Sequence, residues 1–350
     1  LIGGIPFVVA SAWIAGVVSP LLSNDPGVVS LGETYLRYRF LAAISLFLNQ
    51  VYGGFFNGIG DTKRQMTSAI LITGANILLD YILIFGHAGL PRMGIAGAAI
   101  ASVIATGIGS VYYIAVSLSH FYRDRYKPYH HLSLALPWFA PILRLSLPVM
   151  GQRFISNGSF FALFSIVSRI GTLELAASNV IRSIYGLSIM PAIGIGIAAA
   201  TLVGQNLGAS QPKEAEQYAW EAAKLGAYLM GGIGLLFIAY PKAIFSIYTS
   251  DLAVIALGRL PLIMLGVVQT FAGVALVIGR ALQGAGNTRY VMLAELFVCS
   301  LLYLPFAYLL GLRLRLGIVG AWSGEFIYWL TLALLMSWKF HQGTWKKIRV

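Results

Sequence analysis

Asn76 and Asp80 stand four residues apart within a long apolar run. Four residues is about one helical turn, so both side chains share a face. An amide oxygen beside a carboxylate is half of the oxygen set that a hard cation such as Na+ takes. An ionisable group at this depth is costly in hydrocarbon, which makes Asp80 a functional candidate; its structural reading is a cap or bridge near the outer end of its helix. No other spacing suggests a metal. The five His are scattered without an HExxH or CxxC-type pattern, and the single Cys299 excludes an internal disulfide. The expectation is no cofactor, and no metal apart from Na+ at Asn76 and Asp80.

Further charges sit within or beside apolar runs of the second half: Glu295, Glu325, Arg153, Arg182, Arg259 and Arg280. A buried charge must be paired or neutralised, so Glu325 with Arg182, or Glu295 with Arg280, are the expected structural pairs. The amides Gln50, Gln152, Asn157, Asn179 and Gln269 are expected to bridge helices, with a minority free to line a cavity. Pro148, Pro191 and Pro305 fall inside expected helices, where each removes a backbone donor.

The elements that hold these residues follow from composition. The 350 residues are 58% hydrophobic and 10% charged, too apolar to cover a water-facing surface. Runs of about 20 apolar residues recur, each able to cross a hydrocarbon core. They predict an all-α integral membrane protein with ten spans near 1–22, 34–58, 65–86, 94–119, 141–170, 174–203, 218–247, 253–283, 290–311 and 317–340. The net charge of +12 lies in short links, as membrane orientation requires, so nucleic acid is not an expected partner. Lys63, Arg64, Arg123, Arg125, Lys127, Lys213, Arg289 and the basic tail place one set of links, and both ends of the complete chain, in the cytoplasm of a cell whose plasma membrane the protein spans. The stretch HFYRDRYKPYHH becomes a link between halves, giving residues 1–122, a linker at 123–140, and residues 141–350.

The chain also repeats itself. At an offset of about 226 residues, Asn57-Gly58-Ile59-Gly60-Asp61-Thr62 falls on Gln283-Gly284-Ala285-Gly286-Asn287-Thr288. Each copy ends an apolar run and precedes a base. Glycine suits such a turn because it takes a left-handed backbone without a side-chain clash. Both copies lie on the same side, so the halves form a parallel repeat. Residues 141–226 have no partner in the first half, so equal halves would be six helices each, with the first two missing here.

This order of motifs resembles the MATE family of multidrug and toxic-compound extrusion transporters. The GxGDT and GxGNT turns agree with it, as do Val203-Gly204-Gln205-Asn206-Leu207-Gly208-Ala209, Asn76-Ile77-Leu78-Leu79-Asp80 and Gly94-Ile95-Ala96-Gly97-Ala98. The resemblance runs from the family's third helix to its twelfth. It implies two six-helix lobes in a V around a cavity, with helices 3–6 in residues 1–122 and helices 7–12 in residues 141–350. It also implies alternating-access antiport, in which H+ or Na+ enters while a small amphipathic, often cationic, compound leaves. The family's matching Asn and Asp work with a Thr that is Ser102 here. Positions that carry carboxylates in a sodium-coupled branch are Ser156 and Ala272 here, which shifts the expected coupling to the first lobe. Glu295, Glu325, Arg182, Arg153, Asn157 and Gln269 are then candidates for the substrate cavity. The expected state is a monomer.

Other classes fit less well. A flippase for lipid-linked oligosaccharides, from the same superfamily, would favour a strongly cationic cavity and is the alternative. A membrane enzyme would need a catalytic constellation that the chain lacks, and a channel would need a filter loop or a ring of like charges. No GxxxxGK[ST] loop supplies ATP binding, so energy must come from an ion gradient or a partner.

Overall fold

The chain folds as two units, Leu1–Leu134 and Ala135–Val350. The computed structural model describes residues 8–22, 25–126, 129 and 136–348. The first unit runs α1 (Ser11–Leu22), α2 (Pro26–Leu41), α3 (Ala43–Gly58), α4 (Thr62–Phe85), α5 (Gly94–Leu118) and α6 (His120–Tyr126). The second runs α7 (Leu136–Ser168), α8 (Thr172–Ser188), α9 (Met190–Gly208), α10 (Pro212–Ala239), α11 (Pro241–Ser246), α12 (Leu252–Gly284) and α13 (Thr288–Phe297). It then continues through wide turns and α14 (Leu304–Tyr308) to α15 (Gly317–His341) and a short 3-10 turn.

Among the described residues, 7 helical stretches are long and apolar enough to cross a membrane: Thr62–Phe85, Gly94–Leu118, Thr172–Gly208, Pro212–Ala239, Leu252–Gly284, Thr288–Arg313 and Gly317–His341. The expected count of ten spans is therefore not confirmed. The span near 1–22 begins in residues 1–7, which lie outside the described residues. The span expected at 34–58 starts earlier, where the Asp25 carboxylate accepts from the amide of Gly27, and it divides at Ala42 into α2 and α3. With 16 residues that include Glu33, Arg37 and Arg39, α2 is shorter and more polar than the stretches named above. The span expected at 141–170 has the length in α7, but Arg144 and Arg153 interrupt its apolar run. Pro191 lies at the start of α9 rather than inside a helix, because the expected helix at 174–203 is divided at Ile189. Of the expected linker, 127–128 and 130–135 lie outside the described residues, while 123–126 and 136–140 are helical.

The spans turn a soluble protein's pattern outward. On α4, Ile70, Ile77 and Leu78 are exposed while Asn76 and Asp80 are half-buried, so lipid takes the apolar face and the neighbouring helices take the polar one. In the second unit, α10 and α12 touch backbone to backbone. A Cβ on Gly234 would stand 2.2 Å from the carbonyl oxygen of Gly266, and one on Gly273 would stand 2.6 Å from that of Gly226. Such closeness maximises dispersion contacts where no hydrophobic force joins helices.

The repeated turn has one geometry in both copies. The amide of Gly60 bonds the carbonyl of Asn57 at 3.0 Å and that of Asp61 bonds Phe56 at 2.9 Å. Gly286 bonds Gln283 at 2.9 Å and Asn287 bonds Leu282 at 2.9 Å. Gly60 and Gly286 have φ of 85° and 81°, the left-handed backbone the sequence calls for. Thr62 and Thr288 then open α4 and α13. A third copy, which the letters conceal, lies at Gly208-Ala209-Ser210-Gln211-Pro212. There Ser210 bonds Leu207 at 3.0 Å, Gln211 bonds Asn206 at 2.7 Å, and Ser210 takes φ of 60°. A left-handed residue with a Cβ costs about 1–2 kcal/mol. Ser210→Gly is therefore expected to raise the melting temperature of the purified protein by about 2 °C, and Gly286→Ala to lower it by a similar amount. Thermal unfolding in detergent checks both.

Candidate substrate cavity and coupling site

In the first unit, α4 packs along α5. Gly97 permits this, since a Cβ there would lie 2.7 Å from the carbonyl oxygen of Leu83. The packing brings Asn76 and Ser102 together as expected: the Asn76 amide donates to Ser102 Oγ at 3.4 Å. This leaves the Asn76 amide oxygen and the Asp80 carboxylate as acceptors on one face. Asp80 Oδ1 is buried and has no hydrogen-bond partner among the described residues. An orphaned carboxylate oxygen, an amide oxygen and a hydroxyl suit a hard cation or a proton.

Asn49 on α3 was invisible to sequence reasoning, which picked out its neighbour Gln50. Its amide donates to the Thr106 carbonyl at 3.0 Å, and Ser110 Oγ donates to its Oδ1 at 3.1 Å. Thr106 Oγ1 donates in turn to the Ser102 carbonyl at 2.8 Å. A polar chain thus runs from α3 to the residues around Asp80. At one end of the unit, Tyr122 on α6 donates to the Asp61 carboxylate of the repeated turn, and Arg64 Nε donates to the Tyr122 oxygen at 3.2 Å. Burial, then the bond to Asp61, hold the Tyr122 phenol above its ordinary range, so it stays a donor at physiological pH.

A cavity of about 420 Å³ lies wholly within the second unit. Its wall includes Gln152, Arg153, Ser156 and Asn157 from α7 and Arg182 from α8. Arg280 and Gln283 come from α12, Glu295 from α13, and Glu325, Tyr328 and Trp329 from α15. Arg153, Asn157, Arg182, Glu295 and Glu325 therefore meet at one site. Gln269 does not: it is fully buried and donates to Ser188 Oγ at 2.8 Å, tying α12 to α8.

The expected Glu–Arg pairs do not form. Glu295 accepts from Ser156 Oγ at 2.5 Å and from the Tyr328 hydroxyl at 2.6 Å, and Glu325 accepts from the Tyr303 hydroxyl at 2.9 Å. Neutral hydroxyls satisfy these buried acids at a lower desolvation penalty than a second buried charge would bring. Arg182 instead lies over the rings of Phe160 and Phe164, 5.1 and 5.7 Å from their centroids. Arg280 donates to Gln283 Oε1 at 3.4 Å, and Gln283 donates to Gln152 Oε1 at 2.6 Å. Ser156 thus has a carboxylate beside it, contributed by Glu295.

Pro305 shapes this wall. Its ring nitrogen cannot bond the carbonyl one turn back, and the backbone winds wide into π-helical turns at Val298–Tyr303 and Leu309–Arg313. The Leu304 amide accordingly reaches the Cys299 carbonyl. The Gly204 and Gly284 motifs also meet, since a Cβ on Gly204 would lie 3.5 Å from the Gly284 carbonyl oxygen. The direct bond between Gln152 and Gln283 is expected to show a coupling of about 1 kcal/mol between Gln152→Ala and Gln283→Ala. A double-mutant cycle on the melting free energy measures it.

The chain matches the MatE family model over residues 1–82 and 148–309. It is 28% identical over 343 residues to "Probable multidrug resistance protein NorM" of Thermotoga maritima, covering 95% of this chain and 72% of that protein. It is 30% identical over 334 residues to "Multidrug resistance protein NorM" of Burkholderia vietnamiensis, covering 93% and 71%. The fold matches "Crystal structure of MATE in the straight conformation" with a TM-score of 0.89 at 22% identity, covering 99% of this chain and 77% of that one.

Proposed function

Because the chain belongs to the MatE family of multidrug and toxic-compound extrusion transporters, we propose that it exports small amphipathic compounds across the plasma membrane, driven by inward flow of H+ or Na+. The observation that carries the coupling is the orphaned, buried Asp80 Oδ1 beside the Asn76–Ser102 hydrogen bond. A cation or proton that binds this partnerless oxygen favours the state of the first unit in which the site is formed. Asn76 and Ser102 supply neutral oxygen to the ion, and the hydrogen bond between them holds α4 and α5 together at this point. Loss of the ion to the inside favours the other state, and alternating access follows from the difference in affinity.

The cavity of the second unit is the proposed seat of the exported compound. Its volume falls within the range of small-molecule sites, and its aromatic and aliphatic walls suit compounds of varied shape. The proposed working form is a monomer with both ends of the complete chain in the cytoplasm.

In energised membrane vesicles, Asp80→Asn is expected to cut ion-driven efflux of a fluorescent substrate at least about tenfold while leaving its equilibrium binding intact. Ser102→Ala, which removes one neutral ligand, is expected to reduce efflux by about threefold. Efflux unchanged in Asp80→Asn would reduce this residue to scaffolding.

A further inference from the structure

Arg153, Arg182 and Arg280 all face the cavity of the second unit, and none has a carboxylate within 4.0 Å among the described residues. Arg280 and Arg153 line the same cavity from α12 and α7. Arg280 is half-buried and passes over Gly196, where a Cβ would stand 2.8 Å from its Cγ. Its guanidinium donates to the Gln283 amide oxygen. Arg182 rests on aromatic faces, an arrangement that leaves the edge of a guanidinium free to donate. The two acids of the same cavity make no ion pair with these arginines; their oxygens accept instead from the hydroxyls of Ser156, Tyr328 and Tyr303. Guanidiniums without an ion-pair partner are costly inside a bilayer, and each presents the bidentate fork that carboxylates and phosphates match.

We infer that this cavity receives the anionic head of an amphiphile, a carboxylate, sulfonate or phosphate, between Arg153 and Arg280, with an aromatic or aliphatic body lying toward Phe160 and Trp329. The inference rests on the export reading and names a substrate class for it. The same head chemistry is carried by a soluble cargo and by an anionic lipid, so the experiment separates the two.

The probes are a dansylated fatty acid and a dansylated alkyl trimethylammonium of equal chain length, titrated onto purified protein in a neutral detergent. The anion is expected to bind more tightly. Arg280→Gln and Arg153→Gln are each expected to weaken it by about tenfold or more while changing the cation by less than about twofold. No preference for the anion, or equal loss of both probes, would overturn the inference. Thermal melting verifies each variant, and Arg153, which is exposed, carries the test should Arg280→Gln fail to fold. Energised vesicles that move the fatty acid uphold the cargo assignment. Displacement of the fatty acid by short-chain phosphatidylglycerol, with no energised movement of it, overturns that assignment in favour of a lipid headgroup. Efflux of the cation without anion binding sinks the inference alone, whereas anion binding without efflux of any compound sinks the export reading alone.

Discussion

A polar group in the middle of a bilayer has no water to turn to, so the protein itself must satisfy it. Much of this structure follows from that one constraint. Backbone groups are met within helices, and hydroxyls bend back onto carbonyls of their own helix, as Thr106 does to Ser102 and Thr201 to Ile197. Tight turns are confined to helix ends, where the same pair of backbone bonds closes each of three corners. Groups left incompletely met stand out against this background, and they include the Asp80 oxygen and the cavity arginines.

The two units meet the constraint with different chemistry. The first uses short side chains on three adjacent helices: Ser110 donates to the Asn49 amide and the Asn76 amide to the Ser102 hydroxyl, while Asn49 and Thr106 donate to the backbone carbonyls of Thr106 and Ser102. The second uses tyrosines. Tyr303 and Tyr328 each present a phenol to a different acid, and their rings lie 5.5 Å apart, so two buried carboxyls are held by one aromatic pair. A phenol donates without carrying charge, which lets an acid remain at depth without a cation beside it.

The sequence made the membrane class, the repeated turns, and the joining of Asn76 to Ser102 legible, because each rests on a local pattern or a motif in fixed order. It misled where the answer depended on which helices become neighbours and no motif order pointed to them. Pairing Glu295 with Arg280 was reasonable on charge alone, yet Ser156 and Tyr328 are the groups that reach that acid. Asn49 carries no motif, and its role exists only because α3 lies against α5. Ser210 hid a third corner, since reading for glycine cannot find a turn whose left-handed residue has a side chain. The break at Ala42 was missed because apolar count outweighed the charges of α2.

The π-helical turns on either side of Pro305 also change how this part of the chain is to be read. An α-helix advances about 100° per residue, and each widened turn absorbs roughly one extra residue. The stretch from Thr288 to Arg313 is therefore not a single wheel. A face drawn from Glu295 at α-helical spacing drifts off its line within a dozen residues, and the side chains beyond Leu304 answer to a different origin. Relatives with no proline at this place would keep their letters in register with this chain while presenting different residues to the cavity. Sequence position and spatial position part company at Pro305, and comparing pockets across this wall requires counting turns rather than residues.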